Sequence, residues 1–334
     1  MISKRFRAYR VERTDQGQYV RGIQALTTDD LPDGEVLVRV HYSSLNYKDA
    51  LSATGSKGVT RNYPHTPGID CAGIVEESTS SDWQVGDEVV VTSYDLGVDT
   101  DGGFAGYIRV PAEWVLHCPR GLTLRQAMIC GTAGFTAALC MQALENHGIR
   151  PDRGEVLVTG ATGGVGSMAV SLLSAQGYRV VAATGKRDAA DWLRSLGAQE
   201  ILARAALLDT SARPLLKERW AAAIDTVGGD ILTTVLKTMS YGGTVACCGM
   251  VASTELHATV FPFILRAVSL LGVDSQSTPR ALRESIWTKL AGICRPEPLD
   301  AIATEITLDQ VDEHIQHLLK AEVRGRILLN PQVY

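Results

Sequence analysis

Thr162, Gly163, Gly164 and Val165 stand where a short apolar strand, Val156–Val158, turns into a helix. The full segment is Glu-Val-Leu-Val-Thr-Gly-Ala-Thr-Gly-Gly-Val-Gly, residues 155–166. Glycines at such a turn let the backbone approach a pyrophosphate, and the helix start offers free N–H groups and a positive dipole end. Val165, Met168, Ala169, Leu172 and Leu173 repeat at the spacing of one buried helical face. A second apolar strand, Arg179–Ala183, follows, so a strand–helix–strand unit of dinucleotide-binding length is expected. Ala161 replaces the usual first glycine.

The second strand runs out into Thr184-Gly185-Lys186-Arg187, where an NAD site would carry Asp or Glu for the ribose 2′-hydroxyl. Two cations and a hydroxyl suit a 2′-phosphate instead, with Arg204 as a further cation after the short strand Glu200–Ala203. NADPH is therefore the expected cofactor. Asp188 and Asp191 lie close by and complicate that choice.

The elements that position these residues alternate strand and helix. A helix of small residues, Cys130–Leu144, precedes the glycine turn; strands are expected at Ala221–Thr226, Gly243–Cys248 and Val268–Ser275. Such alternation implies a doubly wound parallel sheet. The first ~127 residues lack this rhythm and read as irregular and β-rich, with strands at Glu35–Tyr42 and Gly86–Thr92. From about Thr278, two helices and a strand at Gly325–Leu329 are expected to return to that first region.

The 334 residues are enough for two domains, at 45% hydrophobic and 21% charged. A net charge of -5 argues against a nucleic-acid surface. No run of roughly 18 apolar residues suggests a membrane span, and no apolar stretch follows the basic start as in a signal peptide. The seven cysteines, scattered through apolar stretches, read as reduced thiols of a cytoplasmic protein.

Five segments in order carry a family resemblance. They are Ser43–Asp49, Pro67–Gly73, Gly131–Ala137, the glycine turn, and Phe261–Arg266 followed by Ser269–Ser275. With them the chain resembles the medium-chain dehydrogenase/reductase superfamily, its zinc-free, quinone-oxidoreductase-like branch, and within it the acrylyl-CoA reductase group. The resemblance implies an α/β Rossmann domain (128–274) and a β-rich GroES-like catalytic domain (1–127 and 275–334). Zinc alcohol dehydrogenases of the superfamily have Cys where Asn46 stands and His-Glu where Ile69-Asp70 stands. Asn, Ile and Asp do not make that ligand set, and no cysteine lies between Cys71 and Cys118, so no metal is expected.

The resemblance implies NADPH-dependent reduction of the C=C bond of a short 2-enoyl-CoA, acryloyl-CoA to propanoyl-CoA. The alternative is a quinone or enone oxidoreductase acting on free small molecules, and a distant third is a non-enzymatic NADPH-binding protein. Asn46 and Tyr47 lie where the family's first domain meets the nicotinamide, Tyr47 being the better proton donor by type, and Lys48 is a candidate to offset enolate charge or else a surface ion pair with Asp49. Thr132 and Thr136 are expected near the cofactor, Cys248 and Gly249 at a strand end facing it, and Leu271 and Val273 at its border. Arg61, Lys57, Arg324 and Arg326 are candidate cations for the phosphates of a CoA. A homodimer paired through the last strand of the cofactor sheet is also expected, since an apolar edge strand left open is a liability.

Overall fold

The computed structural model describes residues 3–292, 295 and 298–333. The chain divides into two units: Met1–Thr132, Pro279–Ala291 and Asp300–Tyr334 form the first, Ala133–Thr278 and Gly292–Leu299 the second.

The second unit holds a six-stranded, wholly parallel sheet. Its order is Glu200–Ala203, Arg179–Thr184, Glu155–Val158, Trp220–Asp225, Met239–Cys247, Ser269–Gly272. In chain order that is 3-2-1-4-5-6, the doubly wound arrangement, with the switch between Glu155–Val158 and Trp220–Asp225. The central strands are buried on both faces, which explains their unbroken apolar runs (Val156, Leu157 and Val158 are all inaccessible). The last strand is shorter than expected, Ser269–Gly272 rather than Val268–Ser275, and Asp274 already turns the chain by accepting the N–H of Gln276.

The first unit is built on a seven-stranded sheet. Val36–Leu45 is its centre, flanked by Asp70–Ser78 and Arg326–Asn330 and also paired with Tyr107–Val110. Glu88–Thr92 and Leu116–His117 extend it one way, Ala303–Thr307 the other. Valines of neighbouring strands pack one core (Val36, Val38, Val75, Val89, Val91). A second core gathers Tyr9, Leu45, Ala50, Phe104, Ile306, Ile315, Ile327 and Leu329. Arg5–Arg13 and Tyr19–Thr27 form a separate two-stranded sheet.

Leu124–Asn146 carries the chain from the first unit into the second and is broken at Gly131, whose φ of 50° and ψ of -158° are not helical. By length and composition this helix could cross a membrane, but 83% of its most apolar window is buried in the protein. Its apolarity is spent on the core.

Within the first unit, Ser52 Oγ and His65 Nε2 lie 2.7 Å apart in a buried pair. Burial first, then the charge of Arg10, push the His65 imidazole down to about 4, with Asp99 opposing. The folded protein thus refuses a proton that the unfolded chain accepts below about pH 6.5. Stability from this group is whole above that pH and falls by about 3 kcal/mol on reaching pH 4. Urea unfolding from pH 7 to 4 should show this slope in the wild type and lose it in His65→Gln; equal slopes in both would assign the effect to another group.

Candidate functional site

In the second unit the strand Glu155–Val158 ends in a turn tied down on both sides. Thr159 N–H donates to Ile224 O (3.0 Å) and Ala161 N–H to Ala183 O (3.0 Å), while Gly163 N–H closes the turn on Gly160 O (2.9 Å). The helix Gly164–Ala175 starts here without a side-chain cap. Its first-turn N–H groups, those of Gly164 and Val165 among them, are left to water or to an anion. A Cβ on Gly166 would stand 2.3 Å from Gly160 O, so only glycine allows helix and turn to pack this closely. Thr162 is buried, its hydroxyl 3.1 Å from that of Thr184.

Thr184 ends the neighbouring strand and its hydroxyl accepts the N–H of Lys186 (3.0 Å). The guanidinium of Arg204 lies over exposed Gly185, 3.4 Å from where a Cβ would be. Arg187 is exposed alongside. Lys186, Arg187 and Arg204 therefore gather at one strand end. Of the two nearby carboxylates, Asp191 is bonded to Arg194 (2.8 Å), away from that strand end in the following helix, and Asp188 is exposed. The cluster fits a phosphate monoester on the ribose.

Asp225 organises the switch point, a role the sequence reading does not assign it. It is inaccessible; its carboxylate accepts the Thr159 hydroxyl (2.7 Å) and the N–H of Gly228 (2.8 Å), tying two strand-end turns together. An acidic residue closing an apolar strand just before Val227-Gly228-Gly229 is the signal that marks it. Cys248 N–H donates to Asp225 O (2.9 Å). Gly249 is obligatory, since a Cβ there would meet Thr226 O at 2.1 Å. Val273 N–H reaches Cys247 O (2.9 Å) and Leu271 is half-buried on the edge strand. Thr136 is buried in the long helix. Burial pushes the Cys247 thiol up to about 11, so it carries no thiolate near neutral pH.

The first unit holds the second group of residues. Tyr47 opens the helix Tyr47–Ala53 and Asn46 is its N-cap. The Asn46 N–H donates to Asp49 Oδ2 (2.7 Å), whose Oδ1 accepts the N–H groups of Ile69 (2.8 Å) and Gly68 (3.1 Å). Complete burial pushes the Asp49 carboxyl up to about 7, against those three bonds.

The Asn46 side chain is fully engaged. Its amide nitrogen donates to Asp70 Oδ2 (2.8 Å) and Ser44 O (3.1 Å), and its oxygen accepts from Arg326 Nη1 (3.0 Å). Both N–H groups are spent, so Asn46 has no donor left for a substrate carbonyl. Asp70 also accepts the hydroxyls of Ser44 (2.6 Å) and Thr132 (2.6 Å). Ser93, held at a φ of 66°, lies with its hydroxyl 3.2 Å from that of Thr132.

The placement of Arg326 corrects one expectation. It is 2% exposed and donates to Ile129 O, Asn46 Oδ1 and Ser44 Oγ, so it is a core residue and not a cation offered to a substrate phosphate. Its strand is inserted in the sheet, and the first side chain points inward. Arg61 is exposed but already makes a two-nitrogen bond to Asp99. Lys57 and Arg324 are exposed, and Lys48 is half-buried. Among the described residues no three His, Cys, Asp or Glu side chains converge as a metal would need.

Residues 32–120 match the family described as an alcohol dehydrogenase GroES-like domain, and residues 164–291 that of a zinc-binding dehydrogenase. The acrylyl-CoA reductase AcuI of Ruegeria pomeroyi is 44% identical over 97% of this chain and 99% of its own. The yhdH oxidoreductase of Salmonella enterica, solved in complex with NADP, matches with a TM-score of 0.94 at 46% identity, covering 98% of this chain and 100% of that one. YhfP of Bacillus subtilis, provisionally named a quinone oxidoreductase, is 43% identical over 98% of this chain and 99% of its own. Its structure with NAD bound gives a TM-score of 0.95 at 42% identity, covering 98% of this chain and 100% of that one.

Proposed function

Since the chain belongs to the medium-chain dehydrogenase/reductase superfamily, among relatives named acrylyl-CoA reductase and quinone oxidoreductase, we propose that this NADPH-dependent oxidoreductase reduces the C=C bond of a short 2-enoyl-CoA, acryloyl-CoA being the model substrate. The observation that carries the reading is the side-chain set at positions 46, 69 and 70. Where metal-dependent relatives are expected to carry ligands, this chain has Asn, Ile and an Asp already bonded to Ser44, Asn46 and Thr132. That donor set offers no Lewis acid to a ketone. An activated alkene needs none, because charge delocalises onto the thioester oxygen and is met by hydrogen-bond donors.

When bound, NADPH supplies the hydride. The glycine turn and the start of Gly164–Ala175 receive its pyrophosphate, and Lys186, Arg187 and Arg204 receive the 2′-phosphate. Tyr47 delivers the proton to the α-carbon. An NAD-bound relative sharpens the cofactor question. Arg204→Gln should raise KM for NADPH by about tenfold and leave KM for NADH unchanged, a single charge-assisted contact being worth ~1.5 kcal/mol or more. An equal change for both cofactors would remove Arg204 from the 2′-phosphate site.

The deciding assay follows NADPH oxidation with acryloyl-CoA, free acrylate and a simple quinone, each repeated with NADH. Turnover confined to acryloyl-CoA with NADPH supports the reading. Turnover of the quinone alone favours the second reading, to which the likeness to YhfP points.

We further place a homodimer contact at the edge strand Ser269–Gly272. The helix that precedes it in the chain, Phe261–Arg266, leaves Ile264 73% exposed and Leu265 56% exposed, and the strand itself is the edge of its sheet. Light scattering should give the mass of two chains, and Ile264→Asp should give one; a wild-type monomer at working concentration would refute the contact.

A further inference from the structure

A carboxylate and a guanidinium lie together in the first unit with almost no access to solvent, Asp70 at 0% and Arg326 at 2%, and the carboxyl of Asp49 is fully buried as well. Ions cost several kcal/mol each to bury, so an arrangement of this kind is retained only with full hydrogen bonding. Here it is nearly complete. Arg326 reaches Ile129 O (3.0 Å), Ser44 Oγ (2.8 Å) and Asn46 Oδ1 (3.0 Å), and Asp70 Oδ2 lies 3.8 Å from its Nη2. Ser44 links the two ions, accepting from Arg326 and donating to Asp70. Asn46 is likewise held by both ions: Asp70 takes its N–H, and Arg326 fills its oxygen. Asn46 is in turn the N-cap of the helix that begins with Tyr47, and Asp49 fixes its backbone N–H.

We propose that Asp70 and Arg326 are positioning residues for the reduction: they clamp the Asn46 amide from both ends and so fix where Tyr47 is presented. The proposal rests on the reductase reading given above. The amide has a distinct polarity, and the clamp reads it. A carboxylate on the nitrogen side and a guanidinium on the oxygen side admit only one orientation. Neither ion is exposed to touch substrate; both act through Asn46. A lysine at 326 keeps the charge but lacks the planar fork that serves three acceptors at once.

The test is a double-mutant cycle on full-length protein, read as kcat and KM with NADPH and acryloyl-CoA. Arg326→Lys and Asn46→Ala should each lower kcat by about 10- to 100-fold, the scale of a small misplacement of a reacting group. NADPH affinity, measured by fluorescence titration, should stay within twofold. The double variant should lose no more than Asn46→Ala alone, because Arg326 acts only through that side chain. Losses that multiply, or an equal fall in NADPH affinity, would overturn the positioning role. If Arg326→Lys fails to fold, Ser44→Ala loosens the same clamp more gently and enters the cycle in its place, with the same two outcomes. Wild-type protein inactive on acryloyl-CoA and quinone alike would sink the reductase reading and the proposal together. Wild-type turnover with additive losses would sink the proposal alone.

Discussion

Tyr47→Phe should lower kcat for acryloyl-CoA reduction by about 100- to 1000-fold while leaving NADPH affinity unchanged, the range expected for removal of a proton donor. Three side chains in a row compete for that role. Asn46 has spent both amide hydrogens on Ser44 and Asp70. Lys48 is half-buried. Tyr47 stands at the first position of its helix and is 37% exposed, enough to meet a ligand. Removing only the hydroxyl keeps the ring and its packing, so a loss of kcat reads the proton and not the fold. Solvent-deuterium labelling of the product completes the test. If Tyr47→Phe keeps full kcat, water protonates the α-carbon, and Tyr47 is a surface aromatic.

Gly131→Ala should cost about 4 kcal/mol of stability, read as a fall in the urea midpoint. Backbone strain and overpacking each contribute roughly 1–3 kcal/mol. The residue sits at a φ of 50° inside an otherwise helical run, a region that side chains rarely enter. The added methyl would also land 2.6 Å from Asp70 Oδ2, 2.6 Å from Ser44 Oγ and 2.8 Å from Arg326 Nη2. One methyl group therefore strikes Asp70, Arg326 and the serine that links them. A neighbouring glycine shows the contrast: Gly148, at a φ of 78°, has nothing within 4 Å of its missing Cβ. Gly148→Ala suffers strain alone, and should lose only about 1–2 kcal/mol. A Gly131→Ala loss no larger than that of Gly148→Ala would mean that the cluster yields to the methyl.

The cofactor unit was open to reading because its signals are local. Strand, glycine turn, helix and second strand follow one another within residues 155–184, and each announces itself by periodicity or by glycine. Lys186 and Arg187 come straight after that second strand, so their grouping needs only the sequence. That Arg204 folds back over Gly185 follows from sheet order, which adjacent residues do not encode.

The first unit was legible as β-rich but not in its wiring. Asp70, Ser44 and Arg326 come from three different strands, and nothing in their own neighbourhoods says that they meet. Arg324 and Arg326 look alike as a basic pair, yet one is exposed and the other is core. The burial of a strand's first residue depends on its partners in the sheet. Ala303–Thr307 was hidden for the same reason: five residues with one buried apolar side chain, Ile306, make a strand only because Arg326–Asn330 is there to pair with. The pairing Arg5–Arg13 with Tyr19–Thr27 was signalled, by Phe6, Ala8 and a turn at Thr14–Gly17, but masked by charge.

The insertion of Arg326–Asn330 between Ala303–Thr307 and Val36–Leu45 sets an order of events during biosynthesis. Asn46 leaves the ribosome 280 residues ahead of the arginine that clamps it. Through that interval Asp70 has no cation and Val36–Leu45 has an open edge, the state most exposed to wrong pairing. The parallel sheet of the second unit is already complete by Gly272 and is free to form first. The unit whose first strands are made before the parallel sheet is thus the one that finishes folding after it, and a ribosome stalled shortly before Gly325 would leave a chain with its cofactor fold built and its ion cluster missing its only cation.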